Sequence, residues 1–116
     1  MKNITKKILL KCGIAPHFSG FLYLGDAIEA TTENKDNVYG ITKNLYPEIA
    51  KRHGSNWKRV ERAIRHAIEK AFNRLTPDDI EEIFGNSLCP MRGKATNSQF
   101  IATIALLYGD EIRAGE

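Results

Sequence analysis

The sequence predicts an all-α fold, a compact six-helix domain containing a helix-turn-helix. Three observations predict it. Apolar residues recur at helical spacing between the glycines and prolines, and no segment alternates apolar and polar residues as a strand would. Helix-start signals stand ahead of apolar runs at Thr76-Pro77-Asp78-Asp79 and at Thr96-Asn97-Ser98-Gln99. The length of 116 residues, with 42% hydrophobic and 27% charged, suits one globular domain that buries a core without disulfide or metal staples.

The first helix is expected from about Ile4 to Cys12, with Ile4, Ile8 and Leu9 inward and Gly13 as a left-handed stop. Ile14 to Gly20, with Pro16, reads as a loop. A second helix covers about Phe21 to Thr31, burying Leu24 and Ile28, with Gly25 an interruption that costs ~1 kcal/mol relative to alanine. The polar stretch Thr32 to Gly40 reads as a connector. The third helix begins at Pro47, whose missing N–H costs nothing in a first turn, and reaches His53. Gly54 allows a left-handed turn, and Ser55-Asn56 caps the fourth helix, Trp57 to Asn73. Its apolar stripe is Trp57, Val60, Ala63, Ile64, Ala67, Ile68, Ala71 and Phe72. The fifth helix starts after Thr76, with acids in its first turn, and stops at Gly85. The sixth opens with the capping box Thr96-Gln99, buries Phe100, Ile101, Ile104, Leu107 and Tyr108, and ends at Gly109.

Several function classes are disfavoured. No apolar run reaches the ~18–20 residues of a membrane span. The basic N-terminus lacks the long apolar region and cleavage site of a signal peptide, so a cytoplasmic location is expected. Cys12 and Cys89 are far apart and read as two reduced thiols. With His17, His53 and His66 they show no zinc-ligand spacing, so neither metal nor cofactor is expected. No paired carboxylates, nucleophile–base arrangement or phosphate-binding glycine loop argues for an enzyme. Asp78-Asp79-Glu81-Glu82 is explained as helix N-terminal charge and a solvated face.

Charge is uneven. Between Ile41 and Arg74 nine Lys/Arg face three acids, so that segment carries +6 within a chain of net charge +3. A basic third on a slightly acidic body points to a polyanion. Within it, two helices joined by a short glycine turn, over residues 47–73, match a helix-turn-helix. Ala50 is small where the helices approach, Gly54 lies in the turn, and Val60 packs the second helix back on the first. The polar face of the second helix carries Arg59, Arg62, Arg65 and His66, flanked by Lys58 and Glu61. Arginine can bind guanine O6 and N7 together, and glutamate can accept from cytosine N4. A glutamate among arginines serves base reading better than phosphate attraction, and Glu61 can also pair with Arg65 at i,i+4.

Two runs, Ile41-Thr42-Lys43-Asn44-Leu45-Tyr46-Pro47-Glu48-Ile49-Ala50-Lys51 and Arg59-Val60-Glu61-Arg62-Ala63-Ile64-Arg65-His66-Ala67-Ile68-Glu69, closely resemble the effector domain of the stage-zero sporulation response regulators. Gly20-Phe21-Leu22-Tyr23-Leu24 and Thr96-Asn97-Ser98-Gln99-Phe100-Ile101-Ala102 extend the resemblance over nearly the whole chain. It implies a six-helix, wingless DNA-binding domain that reads short elements close to T-G-T-C-G-A-A, often as head-to-tail pairs, and regulates transcription through bacterial RNA polymerase. Carried over position by position, Arg59, Glu61 and Arg62 match the family's base readers. Arg65 and His66 match positions near the DNA backbone, and Lys94, Asn97 and Ser98 fall where the family approaches phosphate. Lys58, Ser55, Asn56 and Lys43 complete the expected backbone set.

The chain departs from the family in places. Trp57 and Lys58 replace small residues, Ala95 stands where proline is usual, and Thr76 to Arg92 matches least. The family's N-terminal receiver domain has no counterpart in 116 residues, which is expected of an excised effector domain or of a natural stand-alone relative. The alternative function is a protein-interaction module, or an antagonist of a full-length regulator, without specific DNA binding of its own.

Overall fold

A computed structural model describes residues 1–38, 40–85 and 95–116. Cys89 and Lys94 lie outside the described residues. Among the described residues six α-helices follow in order: α1 (Asn3–Lys11), α2 (Ser19–Glu33), α3 (Tyr46–Arg52), α4 (Trp57–Arg74), α5 (Pro77–Phe84) and α6 (Asn97–Ala114). The all-α class holds, with no strand among the described residues.

Glycine ends α1 as the sequence predicts. Gly13 has φ 81°, and Ile14 N–H returns to the Leu9 carbonyl at 3.0 Å. The Gly25 interruption does not occur, because α2 runs through it. Gly25 is buried and leaves room for the Met1 side chain, which a Cβ there would overlap. Gly20 plays the same part on the other side. A Cβ at Gly20 would overlap the Ala63 carbonyl oxygen and stand 2.8 Å from the Ala67 Cβ. These two positions let α2 lie close against α4 and the N-terminus, which is worth more than the helix propensity lost.

The connector after α2 contains a 3₁₀ turn, Lys35–Val38, in which Asn34 Oδ1 accepts from Asp36 N–H at 3.0 Å. The third helix differs from the expectation at its start. A π-helical segment, Ile41–Leu45, leads straight into α3, with Ile41, Leu45 and Tyr46 buried. Tyr46 N–H bonds to the Ile41 carbonyl, five residues back. Pro47 therefore sits inside a continuous helical path. Its ring would crowd the carbonyl of residue 43 in an α-turn, and a wider turn just before it relieves that clash.

The Thr96 capping box forms, and Thr76, expected as a cap, makes one as well. Thr76 Oγ1 accepts from Asp79 N–H at 3.1 Å, and Thr96 Oγ1 accepts from Gln99 N–H at 3.2 Å. Gly85 ends α5 with φ 58°. Gly109 does not end α6. The helix continues to Ala114 because Ile112 has a buried seat to reach, and the Arg113 side chain folds over Gly109 while donating to the Thr32 carbonyl at 3.0 Å. Leu107, expected inward, is 41% exposed, and Leu106 is more so. Tyr108 is half-buried and donates its hydroxyl to the Ile83 carbonyl at 2.6 Å.

The core sits where α2 packs between α6 and α4. Leu9, Leu24, Ile28, Ile64, Ile68, Ile101 and Ile104 are all essentially inaccessible there. Phe72, Phe84 and Phe100 join α4, α5 and α6 in an aromatic cluster with centroids 5.9–6.3 Å apart. Cys12 is fully buried, and burial pushes its thiol up to about 12.

Candidate nucleic-acid interface

The site is built on α3, its turn and α4. Ala50 is buried where the two helices meet, and its carbonyl accepts from Ser55 N–H at 2.8 Å. Gly54 makes the turn with φ 62°, in the left-handed region that a side chain would disfavour. Asn56 caps α4, its Oδ1 accepting from Arg59 N–H at 3.0 Å. Val60, Ile64, Ala67, Ile68 and Ala71 form the buried stripe of α4. Trp57, assigned to that stripe by spacing alone, lies one turn beyond the edge of the core and is 42% exposed.

With that stripe buried, the opposite face turns outward. Lys58, Arg59, Arg62, Arg65 and His66 are exposed on it, and Ser55 and Asn56 lead into it. Arg59 and Arg62 are in no ion pair among the described residues. Glu61 is half-buried, and its Oε1 lies 3.6 Å from Arg65 Nε, the pairing its i,i+4 spacing predicts. The structure thus brings together eight of the backbone and base candidates, Glu61 among them, on one surface. Lys43 is exposed on the π-helical segment ahead of α3.

Two elements flank α4. On one edge stands the N-terminus of α6. Asn97 Nδ2 donates to the Tyr46 hydroxyl at 3.0 Å and to the Glu61 carbonyl at 3.2 Å, so this side chain is a strut joining α6 to α3 and α4. Ser98, beside it, is half-buried. Burial holds the Tyr46 hydroxyl above the usual phenol range, with the Asn97 bond opposing and the Glu61 charge adding to the shift. On the other edge α2 closes a shallow groove of about 530 Å³, lined by Ser19, Tyr23, His53, Arg59, Arg62 and His66 among others. The His66 ring meets Phe18 edge-on, with centroids 5.4 Å apart.

Sequence reasoning missed the pair that ties α2 to the turn. His53 Nε2 lies 2.6 Å from Asp26 Oδ2, and the His53 ring packs edge-on against Tyr23 at 5.3 Å. His53 directly precedes Gly54, so this contact anchors the turn itself. Asp26 is 27 residues away in the chain, and no local pattern announces it.

Among the described residues, no group of His, Cys, Asp and Glu could hold a metal ion, and no helix is long and apolar enough to cross a membrane.

The family model "Sporulation initiation factor Spo0A C terminal" matches residues 5–107 of the 116. The chain belongs to this family. It is a Spo0A-type DNA-binding effector domain, a transcription-factor class. The match spans α1 through most of α6, so the π-helical segment, the turn and the two flanking elements all fall within the Spo0A region.

Proposed function

We propose that this chain is a sequence-specific transcription regulator that lays α4 in the major groove of a T-G-T-C-G-A-A-like element. The observation that carries the reading is the exposure of Arg59 and Arg62, with Glu61 between them, in the N-terminal half of an 18-residue helix fixed as the second helix of a helix-turn-helix. That end of a recognition helix is the one presented to base edges. Arg59 and Arg62 supply planar forks for guanine O6 and N7. Glu61 accepts from cytosine N4, and its contact with Arg65 orients both side chains. Lys58, Arg65 and His66, with Ser55, Asn56 and Lys43, hold the phosphates on either side, and the α6 start at Asn97 and Ser98, with Lys94, approaches the backbone at one edge. Head-to-tail pairs on tandem elements, and action through bacterial RNA polymerase, belong to the same proposal.

A panel of duplexes with single base-pair changes tests the assignment. Arg62→Ala is expected to cost ~1–3 kcal/mol on the element and to lose discrimination at one base pair. Lys58→Ala is expected to weaken all duplexes alike and to lower the salt slope by about one. Equal losses on every duplex for both variants would overturn the division of roles.

A further inference from the structure

Trp57 is the one large apolar side chain that α4 leaves exposed. It is the first residue of the helix, directly after the Asn56 cap, at the end proposed to meet the bases. Val60, one turn further on, is fully buried, so the core begins after Trp57 and makes no use of the whole indole. Its neighbours along the chain, Ser55, Asn56, Lys58 and Arg59, are all polar. The Lys58 ammonium lies 5.8 Å from the centre of the indole ring, within cation–π range, and steadies it.

A major groove offers such a ring few matching partners. Its base edges are hydrogen-bond donors and acceptors, with one apolar exception, the C5 methyl group of thymine. An indole has a wide apolar face and a single N–H donor, so its complement is that methyl group. We propose that Trp57 is a specificity-determining residue that packs its indole against a thymine methyl, beside the bases read by Arg59 and Glu61, while Lys58 reaches the neighbouring phosphate. The inference rests on the proposed DNA reading and extends it by adding an apolar contact to the polar ones.

Deoxyuridine separates the methyl group from everything else, since it pairs as thymine does and lacks only that carbon. The full chain, Trp57→Ala and Trp57→Phe are titrated against duplexes in which each thymine of the T-G-T-C-G-A-A element and its flanks, on both strands, is replaced in turn. At one thymine the unmodified chain is expected to lose about fourfold in affinity, the fold-change that corresponds to ~0.8 kcal/mol for one buried apolar carbon. Trp57→Phe, which keeps an apolar ring, is expected to retain that sensitivity. Trp57→Ala is expected to bind the two duplexes equally while still preferring the element to a scrambled one. The chain has a single tryptophan, so its emission reports on this contact directly and is expected to change less with the deoxyuridine duplex.

No thymine whose methyl group matters to the unmodified chain, or the same loss in Trp57→Ala, would overturn the role of Trp57 and leave the DNA reading standing. Failure of the unmodified chain to prefer the element over a scrambled duplex would remove the DNA reading, and this inference with it.

Discussion

Asn97 shows how one side chain is committed by its surroundings. As the first residue of α6 it belongs to a helix start that suits a phosphate, yet its amide donates inward to Tyr46 and to the Glu61 carbonyl. Asn97→Ala would leave both acceptors without that donor. A loss of ~1–3 kcal/mol in urea unfolding is expected, together with weaker binding to every duplex as α6 shifts against α4. Cys12 makes a different prediction. Its thiol titrates at about 12 in the fold against an ordinary 9.0, because burial disfavours the thiolate. The unfolded chain therefore releases this proton first. The thiol's contribution to stability is complete below pH 9 and is lost as the pH rises toward about 12. The melting temperature is expected to fall over that window, and to fall less steeply in Cys12→Ala. Tyr46 and Tyr108, both raised chiefly by burial, keep some of the slope in that variant.

At the scale of elements, the turn between α3 and α4 is held from three directions. Gly54 supplies the backbone conformation, Asn56 caps the helix that follows, and Asp26 grips His53 from α2. Asp26→Ala is expected to cost ~0.5–1.5 kcal/mol of stability, since it removes a hydrogen bond between a half-buried carboxylate and an exposed imidazole. Gly20→Ala is expected to cost ~1–3 kcal/mol by forcing α2 away from the Ala63 carbonyl, with the loss read by denaturant titration. Most of this level was legible from local pattern. The Gly13, Gly54 and Gly85 turns, the Thr76 and Asn56 caps and the Thr96 capping box all depend on residues at most a few positions apart. The misreadings have a common cause. Gly25 and Gly109 look like helix breakers until a packing partner is known, and Met1 and Arg113 are those partners. Pro47 looks like a helix start because the π-turn ahead of it has no sequence signature.

For the whole molecule, the uneven charge of the sequence becomes an organised surface. The basic segment from Ile41 to Arg74 comprises the π-helical segment, α3 and α4, and the burial of one stripe of α4 turns Arg59, Arg62 and Arg65 outward. Composition gives the excess of charge, and periodicity gives the face. The closure of that face by α2 and α6 was not legible, because Asp26–His53 and Asn97–Tyr46 link residues 27 and 51 positions apart. Membership of the Spo0A effector family agrees with the basic face in pointing to DNA. The central claim is that this face reads sequence and does not merely attract phosphate. Fluorescence anisotropy on a duplex carrying T-G-T-C-G-A-A and on a scrambled duplex, across a salt series, tests it most directly. Affinity for both is expected to fall as salt rises, with a preference for the element of 10³-fold or more, the lower end of the ~10³–10⁷ range for specific over non-specific sites. Equal, salt-dependent binding to the two duplexes would contradict the claim.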